Sequence, residues 1–307
     1  MAKRILIVGP GALGSFYGVF LQESGFCIEV CVRDKQHYLD QWDIQSSKKS
    51  DVFKPKYFWN LSELERNAKT YTAILVCTKV LNQEDLIEQL LAYKHIKETP
   101  ILLMQNGYGI EALWQQKGLG HNLARALCFI CVYRESSKKV IHLDYGDVVL
   151  GNDENNAPDW LQDLCKAWIS QGIGATISDD LLVSIWQKQL WNVPFSSCGV
   201  FYGLSTKALL ADQAIKKQIK AMMLEVCQVA KLDGVMIDEP FCDFMIEQTQ
   251  KMIDYKSSML LDYEAGRPME IDCILGSVIQ KAQISDLDIP LISQIYQELK
   301  TKESSSL

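Results

Sequence analysis

Ile5-Leu6-Ile7-Val8-Gly9-Pro10-Gly11-Ala12-Leu13-Gly14, continued by the helical stretch Ser15 to Glu23, decides how this chain is read. A short apolar run stops at Gly9, a glycine loop follows, and the helix closes at Gly25. The run reads as a buried strand, and Ile28 to Val32 reads as a second one. Together they form a β-α-β unit of about thirty residues. A lone GxGxxG is weak evidence, but between a strand and a helix in such a unit it marks a pyrophosphate cradle. Gly9 permits the tight turn, Gly11 lets the backbone approach the ligand, and Gly14 lets helix and strand pack closely. Pro10, Ala12 and Leu13 complete the loop, and the helix N-terminus offers free N–H groups and partial positive charge. The alternative is an ordinary glycine-rich turn.

The end of the second strand selects the dinucleotide. An acid there binds a ribose 2′-hydroxyl, whereas an arginine accommodates a 2′-phosphate. The chain reads Val32-Arg33-Asp34, with Arg33 at the deciding place. A guanidinium gives a planar, charge-assisted match to phosphate. Lys79, just after the strand Ile74 to Cys77, adds a second cation. The expected cofactor is NADPH; the alternative is that both cations are solvated surface residues.

Working outward, Tyr71 to Cys77 and Pro100 to Met104 read as strands, with a helix from Glu84 to Tyr93 between them. Such alternation implies a mainly parallel sheet covered on both faces. Ala126 to Tyr133 and Val140 to Leu150 add β segments, and Asp159 to Gln171 a helix. After about residue 178 the pattern becomes helical. Leu181 to Phe195 reads as one helix. Lys207 to Leu232 carries Ile215, Ile219, Met222, Met223, Val226 and Val229 at helical spacing and reads as another, closed by Gly234. Asp238-Glu239-Pro240 starts a helix expected to run to about Leu261, and Ile271 to Ile279 marks one more. Glu303 to Leu307 are expected to fray. The predicted architecture is an α/β Rossmann domain over 1–178 followed by an all-α domain over 179–307.

Composition bounds the function. The chain has 307 residues, 48% hydrophobic and 22% charged, the balance of a soluble globular protein expected in the cytoplasm. No apolar run approaches the ~20 residues of a membrane span, and the N-terminal run is too short for a signal peptide. A net charge of −7 argues against a general nucleic-acid binder. The 10 cysteines lack the spacing of a disulfide scaffold. Cys128 and Cys131 form a CxxC on a predicted strand, where residues three apart face opposite ways, so buried free thiols are the favoured reading. The four histidines, His37, His95, His121 and His142, show no HExxH or similar spacing, and no metal is expected. Helical domains with apolar faces often pair, so a homodimer stays open, though no seam is identifiable.

Three segments carry candidate chemistry. Asn106-Gly107-Tyr108-Gly109 follows a strand, at the edge where parallel sheets bind ligands; it also reads as a simple turn. On a helix, Lys188, Asn192 and Ser196 step by four residues and share one polar stripe amid apolar neighbours. A cation there needs a partner or a job, or else it snorkels to water. Ser257-Ser258-Met259-Leu260 precedes Gly266-Arg267-Pro268-Met269-Glu270-Ile271-Asp272. Ser258 also reads as an ordinary helix serine, and Glu270 or Asp272 as a cap for the next helix.

With these features in order, the sequence resembles the ketopantoate reductase family over essentially its whole length. The match rests on the GxGxLG loop, Arg33, the Thr78-Lys79 pair and the Asn106-Gly107 turn. The W-x-K-x-x-x-N element at Trp186, Lys188 and Asn192 and the SSM-to-GRxxEID segment complete it. The resemblance implies an NADPH-binding Rossmann domain, a helical C-terminal domain and an active site in the cleft between them. It implies reduction of a 2-oxo acid to a 2-hydroxy acid on the route to pantothenate and coenzyme A. Lys188 would be the general acid. Asn106, Asn192 and Ser258 would contact substrate, with Ser196 where relatives often carry a second asparagine. Glu270 would lie near the reacting hydroxyl and the nicotinamide, as would Asn106. The sequence departs from the family pattern at Ser196, Met269, Cys273 and Leu275 and lacks the PLTA run after Asn192. These departures raise another small 2-oxo acid or ketone as substrate. A non-catalytic NADPH sensor is the rival of a different class; Lys188, Asn192 and Glu270 argue against it, since a sensor needs no proton donor.

Overall fold

The computed structural model describes residues 3–33, 41–47 and 50–306; Asp34 and His37 lie outside them. The chain divides into two compact units, 1–105 with 110–181 and 106–109 with 182–307.

The first unit is built on one sheet. Its strands are β1 (Arg4–Val8), β2 (Cys27–Val32), β3 (Trp42–Ser46), β4 (Asp51–Phe53) and β5 (Tyr57–Asn60). They continue with β6 (Ala73–Val76), β7 (Ile101–Leu103), β8 (Leu123–Arg134), β9 (Lys139–Gly151) and β10 (Ala175–Ile177). The order is β4-β3-β9-β8-β7-β6-β1-β2-β5, with β10 also on β9. Among the described residues every strand pairing is parallel except β3 with β4 and the β8–β9 hairpin. The helices of this unit are α1 (Ala12–Glu23), α2 (Gln83–Leu91), α3 (Glu111–Gln116) and α4 (Asp159–Ser170). β1 and β6 are buried along almost their whole length, as strands covered on both faces must be. The core joins these strands to α1 and α4 through Phe16, Tyr17, Phe20, Leu161, Leu164 and Trp168.

β3, β4 and β5 are only three to five residues long and do not stand out in the sequence. Trp42, Ile44 and Phe53 nevertheless bury their side chains completely or nearly so. Glu29 on β2 is buried at 2% exposure and holds a network: it accepts from Trp59 (2.7 Å), Tyr71 (2.9 Å) and Lys69 (2.8 Å) and pairs with Arg4. Burial alone would raise its pKa, but the bonds from Lys69, Trp59 and Tyr71 hold the carboxyl below its ordinary value.

The second unit is helical: α5 (Leu181–Trp191), α6 (Ser197–Tyr202), α7 (Thr206–Ala211), α8 (Gln213–Lys231), α9 (Glu239–Lys251), α10 (Ser258–Glu264), α11 (Ser277–Ile284) and α12 (Pro290–Ser306). The six apolar positions read on α8 are all buried, and α8 packs against α7, α9, α11 and α12. Asp212 caps it, accepting from Ala214 and Ile215, and Gly234 follows its end at φ +77°. Asp238 caps α9 as expected.

Three expectations fail here. The stretch from Lys207 to Leu232 is not one helix: it breaks at Asp212, whose extended backbone ends α7 and whose side chain caps α8. The helix from Asp238 does not reach Leu261: it stops at Lys251, and α10 begins at Ser258. Thr206 explains the break, because its N–H donates to the Tyr255 carbonyl (2.9 Å) while its hydroxyl accepts from the Tyr255 N–H (3.3 Å). Ser257 then caps α10, accepting from Leu260. The C-terminal residues do not fray at Glu303: α12 continues to Ser306, and the Glu303 carboxylate accepts from the Met269 N–H at 2.8 Å.

Candidate active site

The glycine loop follows β1, between two parallel neighbours. Val8 is level with Cys31 of β2 and with Val76 of β6. Arg33 and the Thr78-Lys79 pair therefore leave the sheet at the same edge as the loop. Arg33 is exposed and Lys79 half-buried. Gly9 sits at φ +83°, and a Cβ there would meet the Thr78 side chain at 2.6 Å. A Cβ on Gly14 would meet the Gly9 carbonyl oxygen at 2.8 Å. A Cβ on Gly11 would meet nothing nearer than Arg134, at 4.0 Å, so that side of the loop is open.

Gly11 begins α1 without a side-chain cap, and no acid lies in its first turn. An uncapped, open helix N-terminus after a strand fits a pyrophosphate. Arg134, at the end of β8, donates to the Pro10 carbonyl at 3.2 Å and brings a guanidinium to the loop. Sequence reasoning missed it, because nothing in the sequence around Arg134 marks it for the loop and only tertiary pairing delivers the end of β8 to residue 10.

The second unit holds the other candidates. α5 carries Lys188, and a π-helical turn, Asn192–Ser196, follows at once. Pro194 lies in it, and proline has no N–H for the α-helical bond four residues back. The regular α-helical step of four expected along Lys188, Asn192 and Ser196 therefore ends at Asn192, and a π-helical turn carries the chain on to Ser196. A second π-helical turn, Asp272–Gly276, follows Glu270, and the Ser277 N–H donates to the Asp272 carbonyl five residues back. The two turns pack on each other. Each is followed by a serine whose hydroxyl bonds a carbonyl four residues back: Ser197 to Val193 (2.6 Å) and Ser277 to Cys273 (2.7 Å).

Lys188 (8% exposed), Asn192 (8%), Ser196 (3%) and Glu270 (9%) are all buried. Buried charged groups at this depth demand compensation, which is why they seldom occur without a partner or a function. Gln189 ties the turns together, donating to the Ile274 carbonyl at 3.2 Å while Asn192 donates to its side-chain oxygen at 3.4 Å. Neither Glu270 nor Asp272 acts as a side-chain cap for the following helix. Asp272 instead accepts from Tyr296 (2.7 Å) and Lys300 (3.0 Å) of α12. With Glu303 on the Met269 N–H, α12 thus holds the chain on both sides of Glu270.

Ser258 is exposed at the start of α10, whereas its neighbour Ser257 is buried and spent on the cap. Asn106 belongs with the second unit although it follows β7 in the chain. Among the described residues no group of three or more His, Cys, Asp or Glu could hold a metal ion. Burial pushes the Cys131 thiol up to about 12, which keeps it protonated and inert. No described helix is long and apolar enough to cross a membrane.

Comparison with known proteins finds relatives over nearly the whole chain. The family model described as ketopantoate reductase PanE/ApbA matches residues 5–155, and its C-terminal counterpart matches residues 180–303. The 2-dehydropantoate 2-reductase of Nostoc sp. is 28% identical over 303 residues, 97% of this chain and 94% of that protein. The crystal structure of 2-dehydropantoate 2-reductase from Methylococcus capsulatus has a TM-score of 0.87 at 29% identity, covering 99% of this chain and 97% of that one. A ternary structure of D-mandelate dehydrogenase with NADH and anilino(oxo)acetate has a TM-score of 0.90 at 21% identity, covering 99% of each chain, a likeness of fold. The two family matches run through both units, from the glycine loop to the Glu270 segment, and the chain belongs to the ketopantoate reductase family of oxidoreductases.

Proposed function

We propose that this protein is an NADPH-dependent reductase of a small 2-oxo acid, with 2-dehydropantoate as the favoured substrate and pantoate as product. The observation that carries the reading is the burial of Lys188 and Glu270 beside two packed π-helical turns, in a chain whose other unit carries an open, uncapped glycine loop. Gly9 to Gly14 would hold the pyrophosphate, and Arg33 and Lys79 would meet the 2′-phosphate. When bound, NADPH supplies the hydride.

The chain's own residues supply the rest. The Lys188 ammonium donates a hydrogen bond to the ketone oxygen, stabilises the negative charge that grows there, and gives the alkoxide its proton. Water returns the proton to the amine, so the balance is one hydride and one proton per 2-hydroxy acid. Glu270 orients the ammonium. Asn106, Asn192 and Ser258 hold the carboxylate and remaining oxygens of the substrate, and the buried Ser196 shapes the pocket where relatives carry asparagine. Asn106 and Glu270 also border the nicotinamide end.

Met269, Cys273 and Leu275 favour a second reading, in which the same machinery reduces another 2-oxo acid or ketone; all three are buried around the second π-helical turn. NADPH and NADH oxidation with ketopantoate and several other 2-oxo acids separates the two. The highest kcat/KM is expected for ketopantoate with NADPH. Lys188→Ala is expected to lose about 10²- to 10⁴-fold in kcat, the usual worth of a general acid, with an unchanged circular dichroism spectrum. Normal turnover in that variant would remove Lys188 from the chemistry.

A further inference from the structure

Asp233 lies just beyond the end of α8, far in sequence from every candidate residue, and its side chain is 12% exposed. One carboxylate oxygen accepts from the Tyr108 hydroxyl at 2.7 Å and from the Trp186 indole N–H at 2.9 Å. The other pairs with Lys281 of α11. The rings of Tyr108 and Trp186 lie 4.5 Å apart between centroids. Burial opposes the charge on Asp233, but the bonds from Lys281, Tyr108 and Trp186 prevail and hold its pKa below the ordinary value, so it is ionised at neutral pH.

Both aromatic donors sit beside candidate site residues. Tyr108 is two positions from Asn106, and Trp186 is two positions from Lys188. Gly107 (φ +113°) and Gly109 (φ +69°) flank Tyr108 in the left-handed region. The turn can therefore swing Tyr108 toward Asp233, but it has little conformational preference of its own. Gln105, the residue before it, is held in the first unit by its bond to the Thr78 carbonyl (3.0 Å), whereas 106–109 belong with the second. The Tyr108 N–H also donates to the Cys273 carbonyl at 3.3 Å, a further anchor of the turn on the second unit.

We propose that Asp233 is a positioning residue: through Tyr108 and Trp186 it fixes the Asn106–Gly109 turn against the helix that carries Lys188, and so sets the spacing of the groups that grip the 2-oxo acid. This rests on the reading of Asn106 and Lys188 under the proposed function. The Tyr108 bond is charge-assisted and largely desolvated, the setting in which a hydrogen bond is strongest.

The test uses Asp233→Ala and Tyr108→Phe in the full chain; the second removes one oxygen atom and keeps the ring. Hydrogen exchange over residues 105–110 reads the anchoring without substrate, and it is expected to speed up in both variants. In steady state, KM for the 2-oxo acid is expected to rise about tenfold, the worth of one such bond, with a smaller loss in kcat. The double variant is expected to show no more KM loss than Asp233→Ala alone, because the contact that Tyr108→Phe breaks is already lost with Asp233. A merely structural Asp233 would lower the melting temperature and leave KM alone. Wild-type exchange over 105–110 together with wild-type KM in folded Tyr108→Phe would overturn the proposal. Faster exchange in the variants of an enzyme that turns over no 2-oxo acid would support the anchoring and sink the functional reading instead.

Discussion

The glycine loop and the paired π-helical turns are the two places where regular structure gives way at a candidate site, and they do so in opposite fashion. The loop is local. Six contiguous residues, a strand before and a helix after specify it, and the steric demands at Gly9 and Gly14 are met by backbone and neighbouring strands. The π-helical site is assembled from 106–109, 186–196, 233 and 270–276, and its geometry depends on side-chain bonds between distant segments. A backbone-built site is fragile to any added atom. A side-chain-built site tolerates changes of size but not the loss of a partner.

The first way to break this comparison is Gly9→Ala. A left-handed φ costs an L-residue about 1–2 kcal/mol, and the contact with Thr78 adds to it. A loss of about 3 kcal/mol by denaturant unfolding is expected, with dinucleotide affinity by fluorescence titration falling more than tenfold. An unshifted unfolding midpoint would show that the loop relaxes and is less rigidly specified than its geometry suggests.

Glu29→Gln probes a side-chain network remote from either candidate site. Glu29 has a folded pKa below its unfolded value, so its contribution is present above about pH 4.3, the unfolded value, and is lost as the pH falls through the folded pKa. Substitution is expected to cost about 1–3 kcal/mol at neutral pH and progressively less on acidification through that window. Arg4 and Lys69 are about a third exposed, which keeps the cost toward the lower end. A stability difference that does not change with pH would place the effect in packing rather than charge.

The smallest effect on stability is expected from Pro194→Ala. It returns the missing N–H donor and should alter the unfolding free energy by less than about 1 kcal/mol. If proline opens the turn, the segment tightens toward α-helix, Asn192 and Ser196 rotate, and KM for the 2-oxo acid rises several-fold. Unchanged kinetics would mean that packing of the two turns, not proline, sets the geometry.

What could be read in advance follows the same division. Strands β1, β2, β6 and β7 and helices α1, α2, α4 and α8 were legible because each satisfies its own periodicity. β3 to β5 were not, because each is short and is placed by pairing: β3 on the distant β9, β4 on β3 and β5 on β2. The expected helix from Asp238 to Leu261 was broken by Thr206, some fifty residues earlier, taking both backbone groups of Tyr255. Lys188 and Glu270 could be singled out by residue type and motif. The π-helical turn between Asn192 and Ser196 could have been suspected from Pro194, whereas the one after Glu270 carries no proline and no comparable mark.

The sequence by itself determined the glycine loop between strand and helix, the cations at the ends of β2 and β6, and the order of an α/β half before a helical half. These rest on contacts within a few residues, where spacing dictates geometry. Only the tertiary structure decided that Arg134 reaches Pro10, that Asn106 belongs with the second unit, that α12 grips the Glu270 segment and that Asp233 ties Tyr108 to Trp186. Each joins residues that chain order leaves far apart, and burial then strongly favours a satisfied partner for an enclosed charge or polar group.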